Sequence, residues 1–318
     1  MAQADKAALN WTERLASGDR VALARAITAV ENDRADAGDV LRAVHGRTGR
    51  AQVIGVTGAP GVGKSTLLNA LIGGYRKQEK SVGVIAVDPS SPLSGGAILG
   101  DRIRMSEHGG DPGVFVRSLA SRGHLGGLSR AAARIVDVMD AAGRDVVIVE
   151  TVGAGQSEVE IMHIAQSVLV ICAPGLGDDI QAVKAGILEI AHILVVNKAD
   201  MPLADQAVSQ LKDALMLSHH EGWQVPVLRS IATTGEGVDA LIENIAAHYA
   251  QLPGELRDHA GRARMRTLIA ATAGDQVRRA LEGSGNEKID ALSEAVLGGE
   301  LGFDEAARRA AKLVAGKT

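Results

Sequence analysis

The sequence contains almost no cysteine, and this scarcity limits what the chain can be. Among its 318 residues there is one cysteine, Cys172. A single cysteine excludes an intrachain disulfide framework and is typical of proteins in a reducing cytoplasm. Cys172 ends the apolar run Val168–Cys172, so we interpret it as a small core residue rather than a reactive thiol.

The sequence also lacks long apolar runs and blocks of like charge. No apolar run is long enough to span a bilayer, and the first residues lack the pattern of a secretory signal. The formal net charge is −4, with no block of lysine and arginine, which argues against a nucleic acid or an anionic membrane as partner. We therefore expect a cytoplasmic globular protein with neither kind of partner.

The feature that organises the chain is a phosphate-binding motif. After the apolar run Val53–Val56, the pattern G-x-x-x-x-G-K-[ST] is matched by Gly58, Ala59, Pro60, Gly61, Val62, Gly63, Lys64, Ser65 and Thr66. Such a loop points backbone N–H groups at a β-phosphate, and its glycines keep side chains out of the way. Lys64 then pairs with β- and γ-phosphate oxygens, and Ser65 offers its hydroxyl to Mg²⁺. The alternative is a glycine-rich turn without a ligand.

The order of apolar runs predicts an α/β fold. Residues 49–250 alternate β-branched runs with helical patterns, which is typical of a three-layer P-loop NTPase with a mostly parallel central sheet. Residues 1–48 are predicted to form a helical N-terminal extension and residues 251–318 a helical C-terminal arm. Seven strands are expected, at Val53–Val56, Val82–Val87, Val114–Val116, Val146–Val149, Val168–Cys172, Ile193–Val196 and Val225–Leu228.

Acidic residues follow two of the predicted strands. Asp88 and Glu150 come directly after apolar runs, at the edge where such sheets bind ligands. Carboxylates are ligands that Mg²⁺ prefers, so both are candidates for a magnesium site; the alternative is a turn former or a helix cap. Gly153 is placed to sense a γ-phosphate through its N–H group, but Ala154 follows where glutamine is usual, which predicts slow intrinsic hydrolysis.

A second motif indicates guanine. Asn197-Lys198-Ala199-Asp200 follows the run Ile193–Val196. The carboxylate of Asp200 can accept from both N1–H and the exocyclic amine of guanine, a donor pair that adenine lacks. Asn197 is expected to bind the other edge of the base, and the stem of Lys198 to cover its face. In a later loop, Ser230 and Ala232 are candidates for contacts to guanine, Ala232 through its backbone to O6.

The motifs resemble those of the MeaB/ArgK family of P-loop GTPases. The resemblance lies in Asp88–Met105, where D-P-S-S-P is followed by G-D-R-I-R-M, and in Glu150–Glu158. This family is of the metallochaperone class and is associated with adenosylcobalamin-dependent methylmalonyl-CoA mutase. The resemblance implies catalytic roles for Lys64, Asp88, Asp101 and Glu150 and a magnesium site formed by Ser65, Asp88, Asp101 and Glu150.

The same resemblance implies a coupling segment and an assembly. Asp178 and Lys184, within Gly177–Gly186, are expected to couple the nucleotide state to the mutase; the alternative is a solvated loop with a helix cap. The C-terminal arm is expected to form a homodimer.

The function expected is a Mg²⁺-dependent GTPase, slow alone and stimulated by its partner. It would bind an adenosylcobalamin-dependent acyl-CoA mutase, gate cofactor loading and protect or reactivate the mutase. One alternative is an ATP-using kinase of a basic-amino-acid transport system, against which Asn197-Lys198-Ala199-Asp200 argues. The other is a metal-insertion GTPase, which would normally bring a histidine-rich tract or a metal-binding cysteine motif, and the sequence has neither.

Overall fold

The structure of the chain is a computed structural model. It describes residues 10–88, 108–120, 127–151, 161–175, 188–217, 222–252 and 287–315, with short pieces between 265 and 281. By their internal contacts the residues form two compact units, Met1–Met265 and Arg266–Thr318.

A seven-stranded parallel sheet forms the centre of the first unit. The strand order is β3-β2-β4-β1-β5-β6-β7, and every pairing is parallel. This arrangement confirms the predicted P-loop NTPase fold, and the helical C-terminal extension is also present. The strands are β1 Gln52–Thr57, β2 Val82–Asp88, β3 Val114–Ala120, β4 Val146–Thr151, β5 Ser167–Cys172, β6 Ile193–Val196 and β7 Val227–Arg229.

Eight helices of eight residues or more have their bounds defined in the described part of the chain. They are α1 Arg20–Glu31, α2 Ala37–Val44, α3 Lys64–Lys77, α4 Gly127–Ala141, α5 Ala204–Leu217, α6 Val238–Gln251, α7 Glu287–Leu297 and α8 Phe303–Ala315. Residues 10–16 are also helical, and short helical turns occur at Ile161–His163 and Leu188–Ile190. No described helix has both the length and the apolar character needed to cross a membrane.

The central strands are buried on both faces because helices cover the sheet on each side. Every residue of β1, β4 and β5 is buried, which explains why these strands read as unbroken apolar runs. One shared core contains apolar side chains of α3, α6 and the strands between them. Cys172 is buried in β5 and forms no disulfide, as predicted for a core residue.

The last strand starts later than the sequence predicts. We expected Val225–Leu228, whereas β7 spans Val227–Arg229. Pro226 lacks an N–H group to donate to a neighbouring strand, so the ladder begins after it. The carbonyl oxygen of Pro226 still accepts from the N–H group of Leu194 at 3.0 Å.

The N-terminal helices pack against α4. The carboxylate of Asp19 caps α1 by accepting from the N–H groups of Val21 and Ala22, each at 2.9 Å. After α1, Asp33 pairs with Arg134 of α4 at 2.7 Å. The N-terminal helices therefore contact α4 through the ion pair between Asp33 and Arg134 as well as through apolar packing.

Candidate nucleotide-binding site

The phosphate loop, Gly58–Thr66, joins β1 to α3 at the carboxyl end of the sheet. Two of its glycines are required by close approaches. At Gly58, where φ is 144°, a Cβ atom would lie 2.2 Å from the carbonyl oxygen of Ile171. At Gly63, where φ is 91°, a Cβ atom would lie 2.5 Å from Nδ2 of Asn197. Larger residues would therefore push the loop away from β5 and from the guanine motif.

The amino end of α3 faces this loop without a side-chain cap. The helix begins at Lys64, and its N-cap residue, Gly63, has no side chain with which to cap it. The N–H groups of a first helical turn have no carbonyl partners within the helix, and the helix dipole is positive there. This end of α3 is therefore suited to a phosphate group.

Lys64 is buried and lies across the loop. Its Nζ donates to the carbonyl oxygens of Gly58 at 2.7 Å and Ala59 at 2.9 Å. These contacts hold the ammonium group against the loop backbone. A phosphate in the loop would offer the ammonium group stronger, charged acceptors than carbonyl oxygens.

Ser65 and Glu150 meet across the sheet edge. The hydroxyl of Ser65 donates to Oε1 of Glu150 at 3.0 Å, and both side chains are buried. Glu150 reaches this position because it is paired in register with Val56, two residues before the phosphate loop. A hydroxyl and a carboxylate are the hard oxygen ligands that Mg²⁺ takes, so this pair fits a magnesium ion beside the phosphates.

The other predicted magnesium ligands lie outside the described residues. The backbone of Asp88 ends β2, which is paired with β4, but its side chain is not described, and neither is Asp101. Among the described residues no cluster of three or more His, Cys, Asp or Glu side chains is close enough to hold a metal. Gly153, Asp178 and Lys184 also lie outside the described part of the chain.

Asn197 connects three loops at the guanine side. Its Nδ2 donates to the carbonyl oxygen of Val62 at 2.9 Å. Its Oδ1 accepts from the hydroxyl of Ser230 at 3.2 Å and from the N–H group of Ala232 at 3.1 Å. The side chain is only 1% exposed. Asn197 therefore connects the phosphate loop to both guanine loops, and its contact to an edge of the base stays a prediction.

Lys198 and Asp200 face the open side of the same loop. Lys198 has a positive φ of 55°, and its Nζ donates to the carbonyl oxygen of Gly61 at 2.8 Å. Its side chain thus spans from the guanine motif to the phosphate loop. Asp200 is exposed, so its carboxylate is accessible to a base, and its contact to guanine stays a prediction.

Ser230 and Ala232 lie against Asn197. Ser230 is buried after β7, and the N–H group of Ala232 is donated to Asn197. The backbone contact from Ala232 to guanine O6 stays a prediction.

One pair of residues at the site was missed from the sequence. The hydroxyl of Thr151 donates to that of Thr57 at 3.0 Å, and both are buried. Thr57 directly precedes the phosphate loop and Thr151 directly follows Glu150. The pair therefore joins the two strand ends that present Lys64, Ser65 and Glu150. The available signal was a hydroxyl residue at the end of each of two adjacent buried strands.

Comparison with known proteins agrees with this site. The family model described as methylmalonyl Co-A mutase-associated GTPase MeaB matches residues 23–286. A protein of Pyrococcus horikoshii named "Putative GTPase" is 47% identical over 287 residues, covering 88% of this chain and 90% of that protein. GTPase ArgK of Escherichia coli is 40% identical over 238 residues, covering 72% of each chain.

A solved structure described as that of a LAO/AO transport system kinase has the same fold. It superposes with a TM-score of 0.72 at 27% identity, covering 98% of both chains. The family match extends over most of the chain and includes the phosphate loop, Glu150 and the guanine motif. The chain therefore belongs to the MeaB family of methylmalonyl Co-A mutase-associated GTPases.

Proposed function

We propose that this protein is a Mg²⁺-dependent GTPase that acts as a chaperone for an adenosylcobalamin-dependent acyl-CoA mutase, with methylmalonyl-CoA mutase as the first candidate. Binding and hydrolysis of GTP gate cofactor loading and protect or reactivate the mutase. The protein works in the cytoplasm, hydrolyses GTP slowly alone and is stimulated by its partner.

The observation that supports guanine nucleotide binding best is the set of contacts made by Asn197. They hold the phosphate loop and the two guanine loops at one edge of the sheet, with Asp200 exposed beside them. A nucleotide bound here would place its phosphates at the amino end of α3 and its base beside Asp200. The carboxylate then selects guanine because adenine offers no matching pair of donors.

Hydrolysis converts GTP and water to GDP and phosphate. Lys64 exchanges the carbonyl oxygens of Gly58 and Ala59 for β- and γ-phosphate oxygens and offsets charge that develops on them. The N–H groups of the loop and of α3 hold the phosphates in line. Ser65, Asp88, Asp101 and Glu150 hold Mg²⁺, which supplies further neutralisation of phosphate charge. Gly153 senses the γ-phosphate through its N–H group.

The family description supports the mutase part of the proposal, since its members are defined as mutase-associated. Asp178 and Lys184 couple the nucleotide state to the partner. The absence of glutamine after Gly153 is consistent with a slow reaction that requires the partner to reorder the site.

Features of the second unit support a homodimer. No residue of α7 is buried, and Leu297 and Phe303 are 88% and 76% exposed. These exposed apolar side chains are accessible to a second copy of the chain. Sedimentation over a dilution series tests this assembly; a monomer at all micromolar concentrations would exclude it.

Phosphate release from GTP and from ATP, measured with Mg²⁺ and with or without purified methylmalonyl-CoA mutase, tests the main proposal. We expect slow GTP-specific turnover that rises severalfold with the mutase. GTP-specific turnover that does not change when this mutase is added would support GTPase activity and exclude methylmalonyl-CoA mutase as the partner.

A second candidate is an ATP-using kinase of a basic-amino-acid transport system, in keeping with the description of the similar solved structure. It predicts ATP preference and phosphate transfer to a protein. The same assay separates the two, because preference for ATP would contradict the role of Asp200.

A further inference from the structure

The strands β1 and β4 lie side by side up to the edge of the nucleotide site. Among the described residues, their backbone pairing runs from Gln52 and Val146 to Val56 and Glu150. Beyond this pairing, β1 leads into the phosphate loop, and Glu150 is followed by Thr151, the last residue of β4. Other contacts must therefore hold the two strand ends at a fixed separation.

A hydrogen bond between two threonine side chains provides such a contact. The hydroxyl of Thr151 donates to that of Thr57 at 3.0 Å, and both side chains are buried, which shields the bond from water. On their other sides, Thr57 is paired with Val170 of β5 and Thr151 with Val87 of β2. The hydroxyl pair therefore joins the part of the sheet that carries Glu150 to the part that carries the phosphate loop, directly beyond the last backbone pair.

Glu150 and Thr151 make their contacts on opposite faces of the sheet, because successive side chains of a strand alternate between its faces. On one face, Oε1 of Glu150 accepts from the hydroxyl of Ser65 at 3.0 Å. On the other face, Thr151 donates to Thr57. The end of β4 is thus held by a hydroxyl contact on each side, and a shift of Thr151 would also move the adjacent carboxylate.

The placement of the carboxylate and the hydroxyl matters more for Mg²⁺ than for a larger cation. Mg²⁺ requires near-ideal octahedral geometry with oxygen ligands at about 2.0–2.1 Å, whereas Ca²⁺ accepts ligands at about 2.3–2.6 Å in flexible arrangements. A small displacement of Glu150 relative to Ser65 therefore weakens the binding of Mg²⁺ more than the binding of Ca²⁺. Rigid strand ends favour the smaller ion.

We propose that Thr57 and Thr151 are positioning residues for Mg²⁺. Their hydrogen bond fixes Glu150 relative to the phosphate loop and thereby sets both the affinity for Mg²⁺ and the preference for Mg²⁺ over Ca²⁺. This inference rests on the proposed function, in which Mg²⁺ binds together with a guanine nucleotide. Neither threonine is a metal ligand in this proposal, since both act through Ser65 and Glu150.

A role in stability alone leads to a different expectation. If the pair only stabilised the fold, magnesium affinity would follow the free energy of unfolding from one variant to the next. Thr151→Val leaves the buried hydroxyl of Thr57 without its donor, and the double variant Thr57→Val/Thr151→Val regains stability because both hydroxyls are gone. In the positioning role, the double variant does not regain magnesium affinity, because the bond between the strand ends is still missing.

Calorimetric titration of Mg²⁺ and of Ca²⁺ into the full chain saturated with GDP tests the proposal. We expect Thr151→Val to weaken Mg²⁺ binding by about fivefold, as for the loss of one hydrogen bond, and Ca²⁺ binding by less. The double variant should show the same loss. Thr151→Ser keeps the hydroxyl and should bind both ions as the unchanged chain does.

Thr28→Val is the matched control, because the hydroxyl of Thr28 donates to the carbonyl oxygen of Ala24 within α1, away from the strand ends. This variant should leave both metal affinities unchanged. A titration into GDP alone corrects for metal bound by free nucleotide, and chemical denaturation gives the stability of each variant. If Thr151→Val does not fold, Thr57→Val replaces it by removing the acceptor of the same bond.

Magnesium affinity that Thr151→Val leaves unchanged, or that recovers in the double variant together with stability, would overturn the positioning role. Equal losses for Mg²⁺ and Ca²⁺ would overturn the effect on selectivity. Absence of Mg²⁺ binding to the unchanged chain with GDP bound would overturn the proposed metal site and this inference with it. The unchanged chain thus tests the proposed function, and the threonine variants test the positioning role.

Discussion

The two ends of the parallel sheet differ in how their polar groups are used. At the carboxyl end, Lys64 and Asn197 donate to backbone carbonyls of the phosphate loop and Ser65 donates to Glu150. The first turn of α3 has no side-chain cap, and Asp200 is exposed. At the amino end, Asp111 pairs with Arg76 at 2.8 Å, Asp140 accepts three backbone N–H groups, and His248 shares a hydrogen bond with Ser167 at 2.8 Å. The carboxyl end thus presents polar groups to a ligand, whereas most polar groups named at the amino end form hydrogen bonds or ion pairs within the protein.

This difference follows from the direction of parallel strands. Loops that leave the carboxyl ends lead into helices whose free N–H groups point back at the edge, so anions bind there. At the amino ends of the strands, polar groups cover the edge of the apolar core and pair with one another. Changes at the carboxyl end should therefore affect nucleotide chemistry, and changes at the amino end should affect stability.

The largest effect is expected for Lys64→Ala at the carboxyl end. Loss of the ammonium group should lower kcat for GTP by about 10²–10³-fold or more, because the charge that offsets the γ-phosphate is gone. Steady-state phosphate release measures this, with Lys212→Ala, on the exposed face of α5, as control. Unchanged turnover would mean that the phosphate loop is not the reaction site.

Asn197→Ala tests whether the carboxyl end also has a structural role. Removal of the amide leaves the carbonyl of Val62 and two donors without their partner, so we expect about 2–3 kcal/mol of destabilisation and weaker GTP binding. Chemical denaturation and nucleotide titration measure the two effects. Asn244→Ala, which removes an exposed amide that contacts its own helix, should change neither.

His248 tests the amino end through pH. Burial lowers the pKa of His248 to about 4, and its ring lies 4.3 Å from that of His192 and 4.9 Å from that of Trp223. Since the unfolded chain binds this proton more readily, stability should be full above pH 6.5 and fall as the pH drops toward 4, by about 2 kcal/mol at pH 5.

Denaturation of the unchanged chain and of His248→Asn at pH 7 and pH 5 measures this contribution. The variant should show a smaller loss between the two values, with GTP turnover at pH 7 retained. An identical loss in both proteins would show that other groups cause the pH dependence.

Thr151→Val should have the smallest effect of the four. The buried hydroxyl of Thr57 loses its donor, which should cost about 1 kcal/mol of stability. The double variant Thr57→Val/Thr151→Val removes both hydroxyls and should recover part of this loss, because no buried polar group is then left unsatisfied. A double variant less stable than Thr151→Val would contradict the role assigned to this contact.

Much of the fold could be predicted because its signals are local. Unbroken β-branched runs indicated strands buried on both faces, and all seven are present, with a shifted start at β7 caused by Pro226. The phosphate loop and the guanine motif could be recognised because each consists of adjacent residues whose spacing is set by backbone geometry. The contacts of Asn197 to Val62, Ser230 and Ala232 could not be predicted, because these partners are distant in sequence.

The sequence by itself determined the nucleotide end of this protein. A contiguous loop and a contiguous tetrapeptide predict phosphate and guanine recognition, and the strands place these two segments at one edge of the sheet. Only the tertiary structure decided the arrangement of the opposite end. Asp140 accepts from the N–H groups of Gly49, Arg50 and Ala51, which lie far away in sequence but lead into β1, the strand that pairs with β4. Contacts between such distant residues depend on packing and not on spacing along the chain, so the sequence could not predict them.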